Sequence, residues 1–101
     1  MSKEFSSFSD FYPFYLSQHS NLTCRRLHFA GLSLVVLLFL YILVTGNWLL
    51  LLLLPVIMYG FAWTGHYFFE KNRPATFTYP LYSAIGDWVM FKDILTGKIR
   101  I

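Results

Sequence analysis

Residues 27–69 decide the fold, and they read LHFAGLSLVVLLFLYILVTGNWLLLLLLPVIMYGFAWTGHYFF. This stretch of 43 residues contains no Lys, Arg, Asp or Glu. A membrane-spanning helix needs about 20 mainly apolar residues, because each residue rises ~1.5 Å and the hydrocarbon layer is ~30 Å thick. The stretch is therefore too long for one span and fits two.

The break between the two spans is expected at Thr45-Gly46-Asn47, because Gly and Asn favour turns. The predicted spans are then residues 24–44 and residues 48–68. Pro55 lies inside the second span and can kink it, which membrane helices tolerate where neighbouring groups satisfy the freed carbonyl. We therefore predict an all-α membrane protein built on a central two-helix transmembrane hairpin.

The composition supports a single membrane domain over residues 1–101. The chain is 56% hydrophobic and 21% aromatic, and a soluble domain of 101 residues cannot cover so much apolar surface. Its eight Lys/Arg and five Asp/Glu residues all lie on the two flanks of the apolar stretch. The net charge of +3 comes without an arginine-rich run or a nucleic-acid motif, so no nucleic-acid partner is expected.

Orientation follows from the basic residues next to the spans. Lys3, Arg25 and Arg26 precede the first span, whereas Lys71 and Arg73 follow the second, and the connecting turn has no charge. Basic loops stay on the cytoplasmic side. Both ends of the hairpin are therefore predicted to face the cytoplasm.

A short interfacial helix is predicted before the hairpin, over residues 10–18. Ser9 or Asp10 can cap it, and Pro13 would fall in its first turn, where proline is tolerated. Its aromatic residues suit the interface layer of a membrane.

A further helix is predicted after the hairpin, over residues 80–96, and Gly97 closes it. Ser83 and Asp87 are four residues apart and form a polar stripe on this helix. Asp87 argues against a lipid-exposed span. The sequence leaves open whether the helix packs on the hairpin or spans the bilayer, and whether the chain forms a homo-oligomer.

Two histidines share one depth in the predicted hairpin. His28 and His66 each lie 19 residues from Asn47, which is roughly 28 Å along a helix from the turn. Residues equidistant from the turn of an antiparallel hairpin sit side by side. Glu70 follows His66 by four residues and shares its face if the helix continues. Pro74 marks the expected end of that helix.

His19 can join them only if the chain turns before the first span. It precedes His28 by nine residues, which is about 180° around an unbroken helix. Ser20 and Asn21 are good N-cap residues, so a turn there lets His19 fold back. Three imidazoles and one carboxylate could then converge. Imidazole suits iron, zinc, copper and nickel, and histidine with a carboxylate and open positions suits non-haem Fe(II). Each histidine taken singly is also typical of an interfacial polar residue.

Three stretches resemble the Mpo1-like family over nearly the whole chain. They are residues 19–31 (HSNLTCRRLHFAG), residues 65–75 (GHYFFEKNRPA) and, more weakly, residues 80–92 (PLYSAIGDWVMFK). The resemblance implies an Fe(II)-dependent dioxygenase of fatty-acid α-oxidation, which shortens 2-hydroxy fatty acids by one carbon using O₂. The yeast member lies in the endoplasmic reticulum. This chain resembles a compact bacterial version, which implies the bacterial inner membrane, with the active site at the cytoplasmic face.

The resemblance also implies roles for individual residues. The family's functional histidines match His19, His28 and His66, which would be the metal ligands. On spacing alone, Glu70 is interpreted as either a fourth ligand or an acceptor that fixes an imidazole tautomer, and Arg73, or in second place Arg26, as the partner of the substrate carboxylate. Asn72, in the same motif, is also assigned to substrate binding.

Two alternative functions remain open at this point. His28 and His66 could be paired axial ligands of a haem in an electron-transfer protein. Alternatively, the chain could be a non-catalytic hairpin that shapes the membrane or supports a partner subunit.

Overall fold

The computed structural model describes residues 5–101 and is all-helical over that range. The bounds of its helical elements are α1 Phe8–Ser17, α2 Leu22–Thr45, a 3₁₀ turn Trp48–Leu52, α3 Leu53–Thr64, a π-helical segment Gly65–Glu70, a 3₁₀ turn Ala75–Phe77 and α4 Pro80–Leu95. All four predicted helical regions are therefore present, with ends within two residues of those expected. Lys3 lies outside the described residues.

Helix α1 begins earlier than its sequence suggested. Its N-cap is Ser7, whose Oγ accepts a hydrogen bond from the backbone N–H of Asp10 at 3.2 Å. Ser9 and Asp10 therefore lie inside the helix and do not cap it, which corrects the prediction. Pro13 consequently falls beyond the first turn, where it removes one backbone donor from the helix.

Helix α2 begins and ends on cap residues. Asn21 Oδ1 accepts from the backbone N–H of Cys24 at 3.1 Å, and Gly46 closes the helix in the left-handed conformation at φ 72°. At this turn the Thr45 hydroxyl donates to the carbonyl of Tyr41 at 2.9 Å. The chain then re-enters a helix through the 3₁₀ turn. Pro55 is the third residue of α3, where a helix tolerates proline.

Helices α2 and α3 lie side by side and run antiparallel. A Cβ added at Gly31 would lie 2.7 Å from Cβ of Phe61, and one added at Gly65 would lie 3.0 Å from Sγ of Cys24. Cys24 thus faces Gly65, and Gly31 faces Phe61. The residue number on the facing side falls from 65 to 61 as the number on α2 increases from 24 to 31, as it does when two helices run antiparallel. Glycine at these two positions lets the two backbones approach closely.

Helices α1 and α4 cover one side of this pair at its open end. Phe11, Tyr15 and Met90 form the buried core between α1 and α4. Gly86 permits the contact, because a Cβ there would lie 2.8 Å from the Tyr15 ring. The Phe29 and Phe91 rings stack at 5.1 Å and join α4 to α2.

Large apolar side chains are exposed along the rest of α2, along the 3₁₀ turn Trp48–Leu52 and along α3. Leu37 is 62% exposed, Val44 86%, Leu49 76% and Leu52 70%. Within residues 5–101, two helical stretches are long and apolar enough to cross a membrane, Leu22–Thr45 and Trp48–Glu70.

Candidate metal centre

The three histidines of the described chain meet at one point. His19 lies in the turn between α1 and α2, His28 on α2, and His66 on the π-helical segment. Their side chains are 1%, 3% and 2% exposed, and one ring nitrogen from each lies within 4.8 Å of the others. The fold-back of His19 and the side-by-side placement of His28 and His66 were both expected from the sequence.

Every imidazole in this group has its Nδ1 tied to an oxygen. Nδ1 of His19 donates to the Tyr15 carbonyl at 2.7 Å, and Nδ1 of His28 donates to the Cys24 carbonyl at 2.8 Å. Nδ1 of His66 donates to Asn72 Oδ1 at 2.7 Å. A carbonyl oxygen only accepts, so each ring carries its proton on Nδ1 and leaves the Nε2 lone pair free.

The free nitrogens face one another without a proton between them. Nε2 of His19 lies 3.0 Å from Nε2 of His66. Two lone pairs at that distance repel unless a cation accepts both. Burial, together with the two neighbouring imidazoles, lowers the pKa of His19 well below its usual range, so this ring stays neutral, as a metal ligand must be.

This donor set fits a divalent transition metal. Imidazole nitrogen suits iron, zinc, copper and nickel, and metal-binding histidines typically donate the other ring N–H to a carbonyl or carboxylate. The described residues bring no carboxylate into the group, so three histidines would hold the ion and leave positions open.

Tyr15 and Asp87 flank the histidines. The Tyr15 ring stacks on the His19 ring at 4.0 Å, and its hydroxyl donates to the Asp87 carboxylate. Burial raises the pKa of Asp87 to about 7, against the opposing effect of that hydrogen bond. Burial and the nearby Asp87 raise the pKa of Tyr15 well above its usual range, so the phenol keeps its proton.

A small cavity of about 10 Å³ adjoins the imidazoles, with room for one water-sized group. The ten side chains that line it belong to all four α-helices, the turns and the π-helical segment: Tyr15, His19, His28, Ala62, Trp63, His66, Ala75, Thr76, Ser83 and Asp87. Two polar atoms on this wall, Nε1 of Trp63 and Oγ of Ser83, are buried and have no hydrogen-bond partner among residues 5–101.

A comparison with models of protein families identifies the family of the chain. The model of the family described as 2-hydroxy-palmitic acid dioxygenase Mpo1-like matches residues 5–99. The chain belongs to the Mpo1-like family. No curated protein and no solved structure matched it.

Glu70 of this Mpo1-like chain lies away from the imidazole nitrogens. Its carboxylate accepts from the Ser20 hydroxyl at 2.8 Å and from the backbone N–H of Asn21 at 2.7 Å. The chain after His66 is a π-helical segment and not the α-helix that was expected. Glu70 is outside the group of possible ligand atoms and binds the start of α2 instead, which corrects its predicted role.

Asn72 belongs to the site in a different role from the one expected. Its Oδ1 holds His66, and its amide Nδ2 donates to the Gln18 carbonyl at 3.1 Å. This second bond fixes which amide atom faces the imidazole. Asn72 therefore orients a histidine of the candidate metal site. It is not among the residues that line the cavity.

The two predicted arginines do not line the cavity of the Mpo1-like chain. The Arg73 side chain is exposed, and its guanidinium lies 5.0 Å from the centre of the Phe77 ring. Arg26 is exposed on α2. Arg25 contacts the backbone of the site, because its Nε donates to the His19 carbonyl at 2.7 Å. From the sequence, Arg25 was expected only to set the membrane orientation.

Proposed function

We propose that this chain is a membrane-embedded Fe(II)-dependent dioxygenase that shortens 2-hydroxy fatty acids by one carbon. The observation that carries the proposal is the group of three buried imidazoles, each with Nδ1 tied to an oxygen and Nε2 free. Membership of a family named for 2-hydroxy-palmitic acid dioxygenase supports the substrate and the use of O₂.

Membrane insertion is part of the proposal. The exposed apolar surface of α2 and α3 supports two spans that form a hairpin within a single domain. The basic residues near its open end support a cytoplasmic site, in a bacterial inner membrane or, for a eukaryotic chain, the endoplasmic reticulum. A site at this edge would let the acyl tail stay in lipid while the polar head reaches the histidines.

The reaction balances without an added reductant. R–CH(OH)–COOH + O₂ gives R–COOH + CO₂ + H₂O, so the bond between C1 and C2 breaks, and the acid supplies all four electrons that reduce O₂. Bound Fe(II) would supply the activation of O₂ and the attraction for the acid's oxygens. His19, His28 and His66 would hold it, while the Tyr15 hydroxyl and the Asp87 carboxyl hold protons on the cavity wall.

The geometry disfavours the haem alternative. The cavity at the histidines measures about 10 Å³ and would have to widen far more for a haem, whose pockets usually measure about 300–1,000 Å³, than for the head of a hydroxy acid. A non-catalytic hairpin would have no need for three buried imidazoles whose free nitrogens converge, because buried polar groups cost free energy.

Anaerobic purification with metal analysis tests the proposal. We expect about one iron per chain in the wild-type protein and almost none in His66→Ala, since two imidazoles bind far more weakly than three. Tyr67→Ala is the matched control, because Tyr67 is the next residue and is 50% exposed. The wild-type protein should convert 2-hydroxypalmitic acid into the acid one carbon shorter. Full iron occupancy in His66→Ala would contradict the assignment.

A further inference from the structure

Two buried hydrogen-bond donors on the cavity wall have no acceptor. Ser83 is 2% exposed, and Nε1 of Trp63 is fully covered, yet neither atom has a partner within residues 5–101. Buried polar groups are nearly always hydrogen-bonded, so such an atom calls for an explanation. Both residues line the cavity that the three histidines line.

The fold holds both residues firmly in place. Trp63 precedes His66 by three residues and therefore lies close to it along the helix. Its indole packs between the rings of Tyr59 at 5.4 Å and Phe77 at 5.2 Å. Ser83 lies one turn before Asp87 on α4, which the Tyr15 hydroxyl ties to α1. These contacts fix the direction in which the two donors face the cavity.

From these observations we propose that the Trp63 indole N–H and the Ser83 hydroxyl bind the carboxylate of the 2-hydroxy acid; the inference rests on the proposed function. An indole nitrogen can only donate, so its partner must be an acceptor. A carboxylate oxygen is such an acceptor and is close to the size of the water-sized space. The cavity has to widen for the remaining atoms of the head.

The position of the arginines strengthens the assignment. A buried carboxylate needs donors, and charged partners are the usual choice. Arg73 lies on Phe77 outside the cavity, and Arg25 is engaged with the His19 carbonyl. Trp63 and Ser83 are the fully buried neutral donors on the wall that have no partner within residues 5–101.

Binding of a short substrate to the iron-loaded protein tests the proposal. The affinity for 2-hydroxyoctanoic acid is measured anaerobically by equilibrium dialysis, with protein-free micelles as the blank. Trp63→Phe and Ser83→Ala should each weaken binding by about tenfold or more, the usual cost of losing a hydrogen bond to a charged group. Ser83→Thr, which keeps the hydroxyl, should restore the affinity.

Matched variants and a second measurement separate the outcomes. Trp48→Phe and Ser33→Ala change the same residue types away from the cavity and should bind as the wild type does. The KM for O₂ should stay unchanged in Trp63→Phe and Ser83→Ala. Iron-loaded variants with wild-type affinity, a changed KM for O₂ alone, or loss of iron from both variants would each overturn the proposal. Failure of the iron-loaded wild-type protein to bind the acid would instead overturn the proposed function.

Discussion

At the scale of single residues, three oxygen atoms decide the chemistry of the histidines. Two of them are the backbone carbonyls of Tyr15 and Cys24, and the third is the side-chain Oδ1 of Asn72. Groups of this kind set the tautomer and the direction of a ligating ring. Asn72 is the only one of the three described acceptors that a substitution can remove directly.

Asn72→Ala should weaken metal binding by roughly 10–100-fold, because His66 loses the acceptor that keeps its proton on Nδ1. Asn72→Asp keeps an acceptor at the same place and should bind the metal at least as tightly as the wild-type protein. Competition with a chelator of known affinity measures both changes. Asn47→Ala, at the exposed turn, is the control. Unchanged affinity in Asn72→Ala would show that His66 needs no such support.

Some site residues can be predicted from local sequence rules, whereas others require knowledge of tertiary contacts. The position of Asn47 midway between His28 and His66 predicted that these two histidines lie side by side. The capping preference of Asn21 predicted a turn that lets His19 join them. Each step uses only local rules. The contacts of Glu70 and Asn72 are tertiary ones, to Ser20, Asn21 and Gln18, which no local pattern predicts. Trp63 could have been found from its spacing to His66, although a Trp in an apolar span usually signals only packing.

At the scale of elements, glycine sets the distance between α2 and α3. Gly31 lies against Phe61, whereas a Cβ at Gly60 would meet no atom within 4 Å. Gly31→Ala should therefore lower the free energy of unfolding by about 1–3 kcal/mol, because the helices must separate. Gly60→Ala should raise it by up to about 1 kcal/mol, since alanine favours a helix. Thermal unfolding in detergent measures both, and equal midpoints for the two variants would argue against close packing at Gly31.

The sequence predicted a helix around His66 but not its π-helical form over Gly65–Glu70. Hydropathy located both apolar stretches, and Gly46 located the turn between them. The same apolar pattern is compatible with 3₁₀, α and π spacing, because lipid-facing positions accept any large apolar side chain. Tertiary contacts therefore select the local type of helix. Among them are the hydrogen bonds that the Glu70 carboxylate accepts from Ser20 and Asn21.

At the scale of the whole molecule, the proposed hairpin requires its turn at Asn47 and its open end to lie on opposite sides of the membrane. In a Cys24→Ser background, we expect Lys98→Cys to react with a membrane-impermeant maleimide from the cytoplasmic side and Asn47→Cys only from the other side. Both positions are exposed. The buried Cys24 of the wild-type chain should react only after denaturation, which serves as the control. Labelling of both introduced cysteines from one side would contradict a spanning hairpin.

The uncharged turn at Gly46 has a consequence for biogenesis. An Arg or Lys at the centre of a bilayer costs about 2.5–3.5 kcal/mol on insertion scales, and the turn carries neither. The Thr45 hydroxyl and the backbone N–H of Gly46 already donate hydrogen bonds to α2, to the carbonyls of Tyr41 and Ile42 respectively. In the proposed topology, a newly made chain would therefore pass this uncharged turn through the hydrocarbon, while the charged residues on the two flanks stay on the side where the ribosome released them.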